Sequence, residues 1–229
     1  MSCYYIKARG QTSEFLKAFL VDNRFDWKWH GVIHEVISCS EPVERKNFSA
    51  GFLIYDERSG HRAQNLEKYL DDAKVLEKAL VQEPNNARYV FYLAQSYVHA
   101  KAFPQALAMY ERRVTLGGDT EEFFWSLYCI ACLKKDLAHP SSEIIQAFCR
   151  AYQYKPSQAE PLYRLAQHLS HYPFLGYLLT KYAKEIPLPE NAARVQGWIY
   201  TELPLEFVQF KQSWDQKLFP QSGGSANEK

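Results

Sequence analysis

The chain has 229 residues, enough to bury a sizeable core in one or two domains. Aromatic residues make up 15% of it, including 16 Tyr and 5 Trp, which excludes a disordered polymer poor in aromatics. Lys plus Arg number 27 against 26 Asp plus Glu, so no overall basic bias points to nucleic acid or to an anionic membrane.

The N-terminal MSCYYIKARGQT holds no apolar run of signal-peptide length, and no stretch of about 18 apolar residues predicts a membrane span. Five Cys without a regular framework fit a reduced, cytoplasmic chain. Cys129 and Cys132 form a Cys-x-x-Cys pair. It lies inside a helical pattern and lacks a second pair, so buried thiols are the expected reading rather than a metal or redox site.

Residues 3–55 carry short runs rich in Tyr, Phe, Val, Ile and Trp, separated by polar segments such as SEPVERKN. They predict two to four strands, arranged as the edge or end of a larger sheet. From Gly60 the pattern turns helical. Leu66, Tyr69, Leu70, Ala73, Leu76 and Leu80 keep one face apolar, and Pro84 ends that helix. Residues 86–118 then give two apolar stripes, with Val90, Leu93, Ala94, Tyr97 and Val98 on one and Ala106, Leu107, Tyr110 and Val114 on the other. A short break at Lys101–Phe103 parts them. Further helices are predicted over 121–135, over 143–155 with Ser141 or Ser142 as cap, over 159–169, over 174–186 and over 192–200 leading into 205–214. Arg112 and Arg113 end their helix, where cations suit the dipole.

Stop signals at Pro84, Gly118, Pro156 and Pro187 or Pro189 are spaced by about 34, 38 and 31 to 33 residues. Helix–turn–helix units of that period are the tetratricopeptide signature. The 86–118 unit fits it best, through Leu93, Ala94, Tyr97, Phe103, Ala106 and Tyr110.

Beyond the period, RYVFYLAQSY (88–97), GGDTEEF (117–123) and KPSQAEPLYRLA (155–166) resemble the helical C-terminal region of family 2 glycosyltransferases that carry tetratricopeptide repeats. GHRAQNLEKYLDDAKVLEKAL (60–80) resembles the linking helix ahead of those repeats. FDWKWHGVIHE (25–35) resembles a segment near the end of their catalytic domain. The resemblance implies a mostly α chain, a tetratricopeptide-like helical-hairpin array preceded by a short β segment resembling the end of a GT-A domain. It divides the chain into a β-rich remnant at 1–59, repeats at 60–214 and a disordered tail at 215–229.

In that family a divalent metal (Mn or Mg) and a nucleotide sugar are held by an Asp-x-Asp motif. None occurs here; Asp71–Asp72 lies in a helical stretch. The resemblance therefore implies a glycosyltransferase C-terminal portion without its donor-binding half, inactive alone, with repeats that bind a protein or glycan acceptor or a separate catalytic half. The competing expectation is a stand-alone tetratricopeptide interaction module.

Candidate sites follow from both readings. His34 and Glu35 follow a strand-like pair and should face opposite sides. The resemblance implies His34 as a metal ligand and Glu35 as support for an acceptor or as a catalytic base, against a strand-end His hydrogen-bonded to backbone. Arg62, beside Gly60 and ahead of a helix, is a candidate for the phosphates of a cofactor. Tyr92, Gln95, Ser96 and His99 are candidates to line a partner groove on the first helix of the best-formed repeat. Trp27 and Trp29 share a strand face and either stack on a sugar or pack a sheet edge.

Overall fold

The computed structural model describes residues 2–9, 14–42, 44–47, 53–55, 66–189 and 194–218. Among the described residues six strands come first. β1 (Ser2–Arg9) pairs antiparallel with β2 (Glu14–Val21) and parallel with β5 (Glu44–Asn47) and β6 (Leu53–Tyr55). β3 (Trp27–His30) and β4 (Val36–Cys39) form a separate antiparallel hairpin in the register Trp27↔Cys39 to His30↔Val36. Six strands exceed the two to four expected. FDWKWHGVIHEVISC is split by Gly31, whose φ of +113° turns the chain at little cost for a residue without Cβ. β5 hides in the polar SEPVERKN, because an edge strand needs only its backbone to pair.

Eight helices follow among the described residues: α1 (Leu66–Gln82), α2 (Ala87–His99), α3 (Phe103–Arg113), α4 (Thr120–Asp136), α5 (Ser141–Tyr154), α6 (Glu160–His168), α7 (Pro173–Ala183) and α8 (Gly197–Leu218). Each packs on the next, and α2–α3, α4–α5 and α6–α7 form helical hairpins. The chain is thus mostly α, a tetratricopeptide-like helical-hairpin array preceded by short strands. α2 touches α4, α4 touches α6 and α6 touches α8, so these helices line one inner face.

Side-chain size dictates this stacking. Ala94 on α2 and Ala106 on α3 are fully buried, and their small side chains let the two helices pack closely. Phe91, Leu93 and Tyr110 fill the first layer of core, Phe124, Phe148 and Leu165 the second, and Leu162, Ile199 and Leu203 the third. Each fully buried Phe or Leu contributes about 1.5–3 kcal/mol relative to exposure, which holds helices of 9 to 22 residues that would fray alone.

Local signals set the boundaries. Asn86 caps α2 by accepting from the Tyr89 amide at 3.1 Å, and Asp119 caps α4 by accepting from the Glu122 amide at 2.8 Å. The expected Ser141 or Ser142 cap is not formed. Pro140 occupies the cap position, and Ser141 Oγ instead meets His168 Nε2 at 2.9 Å, tying α5 to α6. α8 extends past residue 214 to Leu218, so the expected start of the tail at 215 falls inside a helix. The expected helix over 192–200 is also corrected: residues 194–196 are non-helical and α8 begins at Gly197.

Candidate functional site

The described site is built where the hairpin tip and the loop before α8 meet the inner face. The tip comes first. Residues 31–35 connect β3 to β4, and His34 adopts a left-handed φ of +54°. The expectation that His34 and Glu35 continue a strand with alternating sides is therefore wrong, because they sit on a turn. The His34 ring stacks on Tyr92 of α2, centroids 4.1 Å apart and planes 17° apart. Arg88 Nη2 donates to the His34 carbonyl at 2.8 Å, and the guanidinium lies 4.7 Å from the Tyr92 ring centroid. Glu35 is exposed beside this stack.

Partial desolvation of the ring against Tyr92 holds the His34 imidazole below its ordinary value, although the residue as a whole is exposed. Asp72 of α1 works against that shift, while Arg88, Lys68 and Arg194 add to it. A ring already stacked on Tyr92 and facing three cations makes a poor ligand for a divalent cation. Among the described residues no group of three His, Cys, Asp or Glu is gathered to hold a metal. The residues around His34 thus do not fit the metal that the resemblance implies. Arg62 lies outside the described residues.

The four groove candidates separate. Tyr92 faces the hairpin tip and the loop before α8, with Arg194 Nη2 at 3.4 Å from its hydroxyl. Gln95 is partly buried on the same helix. Ser96 is only 4% exposed, so its hydroxyl has no surface to offer a partner, a correction to its place in a groove. His99 stacks on Tyr69 of α1 at 4.7 Å, which engages its ring with the preceding helix. The two Trp also part ways. Trp27 Nε1 donates to the Asp22 carbonyl at 2.8 Å, whereas Trp29 is 63% exposed.

The junction between the first two helical hairpins holds a polar line that sequence reading missed. Arg113 is fully buried and donates to the carbonyls of Gly117 at 2.5 Å and Asp119 at 3.2 Å. Glu122 lies 3.5 Å from Arg113 and accepts from Arg88 at 3.2 Å. Arg113 therefore does more than suit a helix dipole, since it fastens the turn between α3 and α4. Arg112 likewise donates to the Pro84 carbonyl.

Further along, residues 194–198 lie across the inner face. The Arg194 guanidinium covers Phe91 at 4.5 Å, and its carbonyl accepts from Gln158 Nε2 at 3.3 Å. The Gln196 amide donates to Glu160 Oε1 at 2.9 Å, and its side-chain oxygen accepts from the Tyr128 hydroxyl at 2.8 Å. Tyr128 in turn accepts from Arg164 Nε at 3.3 Å. Trp198 meets Tyr163 edge-on at 5.7 Å and lies 5.0 Å from the Arg164 guanidinium. Burial raises the Glu160 carboxyl above the ordinary carboxylate value, partly offset by the Gln196 amide and the Tyr200 hydroxyl. The available signal was Pro187, Pro189 and Gly197 flanking a short segment, which favours extended chain over helix.

Cys129 and Cys132 sit on α4 beside the Tyr110 and Tyr128 hydroxyls. Burial pushes the Cys132 thiol up to about 11 and Cys129 higher still, so neither is a ready nucleophile.

No protein-family model matches the chain, and no curated protein matches it. Among solved structures, a crystal structure of MamA is 16% identical, with a TM-score of 0.48 over 72% of this chain and 99% of that one. A second MamA crystal structure is 15% identical, with a TM-score of 0.48 over 68% of this chain and 87% of that one. None of these comparisons supports a glycosyltransferase. No described helix is long and apolar enough to cross a membrane.

Proposed function

We infer that the chain is a protein-interaction module whose inner face, lined by α2, α4 and α6, holds an extended polypeptide segment. One observation carries this reading. Side chains from three successive inner helices, Tyr92, Tyr128 and Glu160, all bond to the short non-helical stretch 194–196. A face that grips both backbone and side chains of non-helical chain has the chemistry of peptide recognition. The glycosyltransferase reading, with its nucleotide sugar, metal and glycan acceptor, draws no support from the surroundings of His34.

The test is an array of capped synthetic peptides of varied sequence, probed with the full chain. A defined subset should bind. Arg164→Ala and Tyr128→Phe should each weaken binding about tenfold, or roughly 1.4 kcal/mol. Tyr182→Ala, on an exposed position of α7, should leave it unchanged. Binding indifferent to the inner-face changes would overturn the reading. A saturable calorimetric titration with a nucleotide sugar and Mn²⁺ would instead favour the enzyme.

A further inference from the structure

We propose that residues 194–198 are a built-in competitor for the inner face, and that they spell out the ligand it takes: a peptide with a guanidinium and a carboxamide two positions apart on a non-helical stretch, followed by an aromatic ring on the first turn of a helix. This deepens the interaction-module reading and rests on it.

Three observations support the assignment. First, the contacts alternate. Arg194 meets Phe91 and Tyr92 of α2, Gln196 meets Tyr128 of α4 and Glu160 of α6, and Trp198 meets Tyr163 and Arg164 of α6. Residues 194–196 are non-helical and Trp198 lies in the first turn of α8, so successive inner helices meet successive parts of the segment as it enters that helix. The spacing Arg-x-Gln-x-Trp is thus a property of the face as well as of the segment.

Second, the bonds discriminate. The Tyr128 hydroxyl, accepting from Arg164, has its proton left for an acceptor such as the Gln196 side-chain oxygen. Glu160 takes a backbone N–H from Gln196 and the Tyr200 hydroxyl. The Phe91 ring lies under the Arg194 guanidinium, a place suited to a cation with a flat face. A carboxylate in place of Gln196 would lie close to Glu160.

Third, the segment is an imperfect occupant. Gln158 is fully buried, yet its Oε1 has no partner, although its Nε2 is bonded to the Arg194 carbonyl. Arg194 reaches Tyr92 only at 3.4 Å, and Trp198 remains 38% exposed. A peptide from another protein that supplies a donor to Gln158 would fill the face better than the chain's own segment. The internal occupant then sets a threshold: apparent affinity falls in proportion to the fraction of molecules whose face is open.

The experiment uses the full chain and a fluorescein-labelled, capped peptide with the sequence of residues 194–200, RVQGWIY. A control peptide carries Ala in place of its Arg and Gln. Fluorescence polarisation is read on the wild type and on the double variant Arg194→Ala/Gln196→Ala. The expected result is binding to the double variant about tenfold or more tighter than to the wild type, with no binding of the control peptide. Equal affinity for both proteins would sink the competitor and leave the interaction module standing. Equal binding of RVQGWIY and its control would sink the motif. A folded double variant that binds neither peptide would sink both the proposal and the interaction reading for this face. If the double variant unfolds, the wild type alone decides. Saturating RVQGWIY should speed amide exchange at Gln196, whose N–H is released from Glu160, and unchanged exchange would overturn the proposal.

Discussion

The helical array and the strand region solve the same problem in opposite ways. The helices bury whole side chains against one another: Phe91, Phe124 and Phe148 have no exposure, and three layers of core follow in sequence. Among the strand residues whose burial is described, Cys3 and Ile6 are buried, while Leu20, Trp29 and Val36 are 46%, 63% and 44% exposed. The strands hold together by backbone pairing, and the β3–β4 hairpin leans on the array through Ile33, His34 and Arg88. Stability should therefore reside in the helices, with the hairpin tip a conditional addition.

The sharpest way to break this contrast is a matched pair of truncations. Phe124→Ala should destabilise the chain by about 3–5 kcal/mol, a large part of a domain's total of about 5–15 kcal/mol. Trp29→Ala should cost less than about 0.5 kcal/mol. Urea unfolding followed by helical circular dichroism checks both, and equal costs would remove the contrast.

A smaller effect probes how tightly the last helices fit. A Cβ on Gly176 of α7 would fall 2.3 Å from the Phe210 ring of α8. Ala favours a helix over Gly by up to about 1 kcal/mol, but overpacking costs about 1–3 kcal/mol. Phe210 is 7% exposed and has little room to retreat, so the clash should win. Gly176→Ala should lower the thermal midpoint, and Phe210→Leu in the same chain should restore part of it. A raised midpoint would show a looser α7–α8 contact.

The smallest effect concerns the junction between the two regions. Partial desolvation against Tyr92 keeps the His34 pKa below 6.5 in the folded chain, with Asp72 of α1 opposing and Arg88, Lys68 and Arg194 reinforcing that shift. The unfolded chain then binds more protons between the lowered value and 6.5, so stability rises with pH across that window. The His34–Tyr92 stack is fully favoured above about pH 6.5 and weakens as acid protonates the ring. Amide exchange in residues 31–35 should quicken from about pH 7.5 to about pH 5.5, after correction for intrinsic rates. His34→Gln should flatten that excess; a persistent excess would assign the effect to another group.

The helices were largely legible because each must hide a stripe of period 3.6, and Val90, Leu93, Ala94, Ala106 and Tyr110 carry it openly. Pro84, Gly118 and Pro156 marked their ends. The strands were less legible, since Gly31 divides one apolar run into a hairpin and β5 pairs through the backbone of polar residues. The site was hardly legible at all. Arg194 and Tyr92 are 102 residues apart, and no local period reports such a contact. His34 and Tyr92 were each singled out, but for separate roles; that they stack on one another depends on where the hairpin tip lands.

The buried Arg113 has a mechanical meaning. Its guanidinium joins the Gly117 and Asp119 carbonyls to Glu122, and Glu122 reaches back to Arg88 on the first repeat. A joint between repeats made only of methyl groups can creep, because one greasy contact slides into the next at little cost. A joint keyed by a guanidinium cannot, since any partial slip strands a charge before it finds a new partner. The joint between the first two repeats is therefore a latch rather than a spring, and the face beside it keeps its shape until the latch opens.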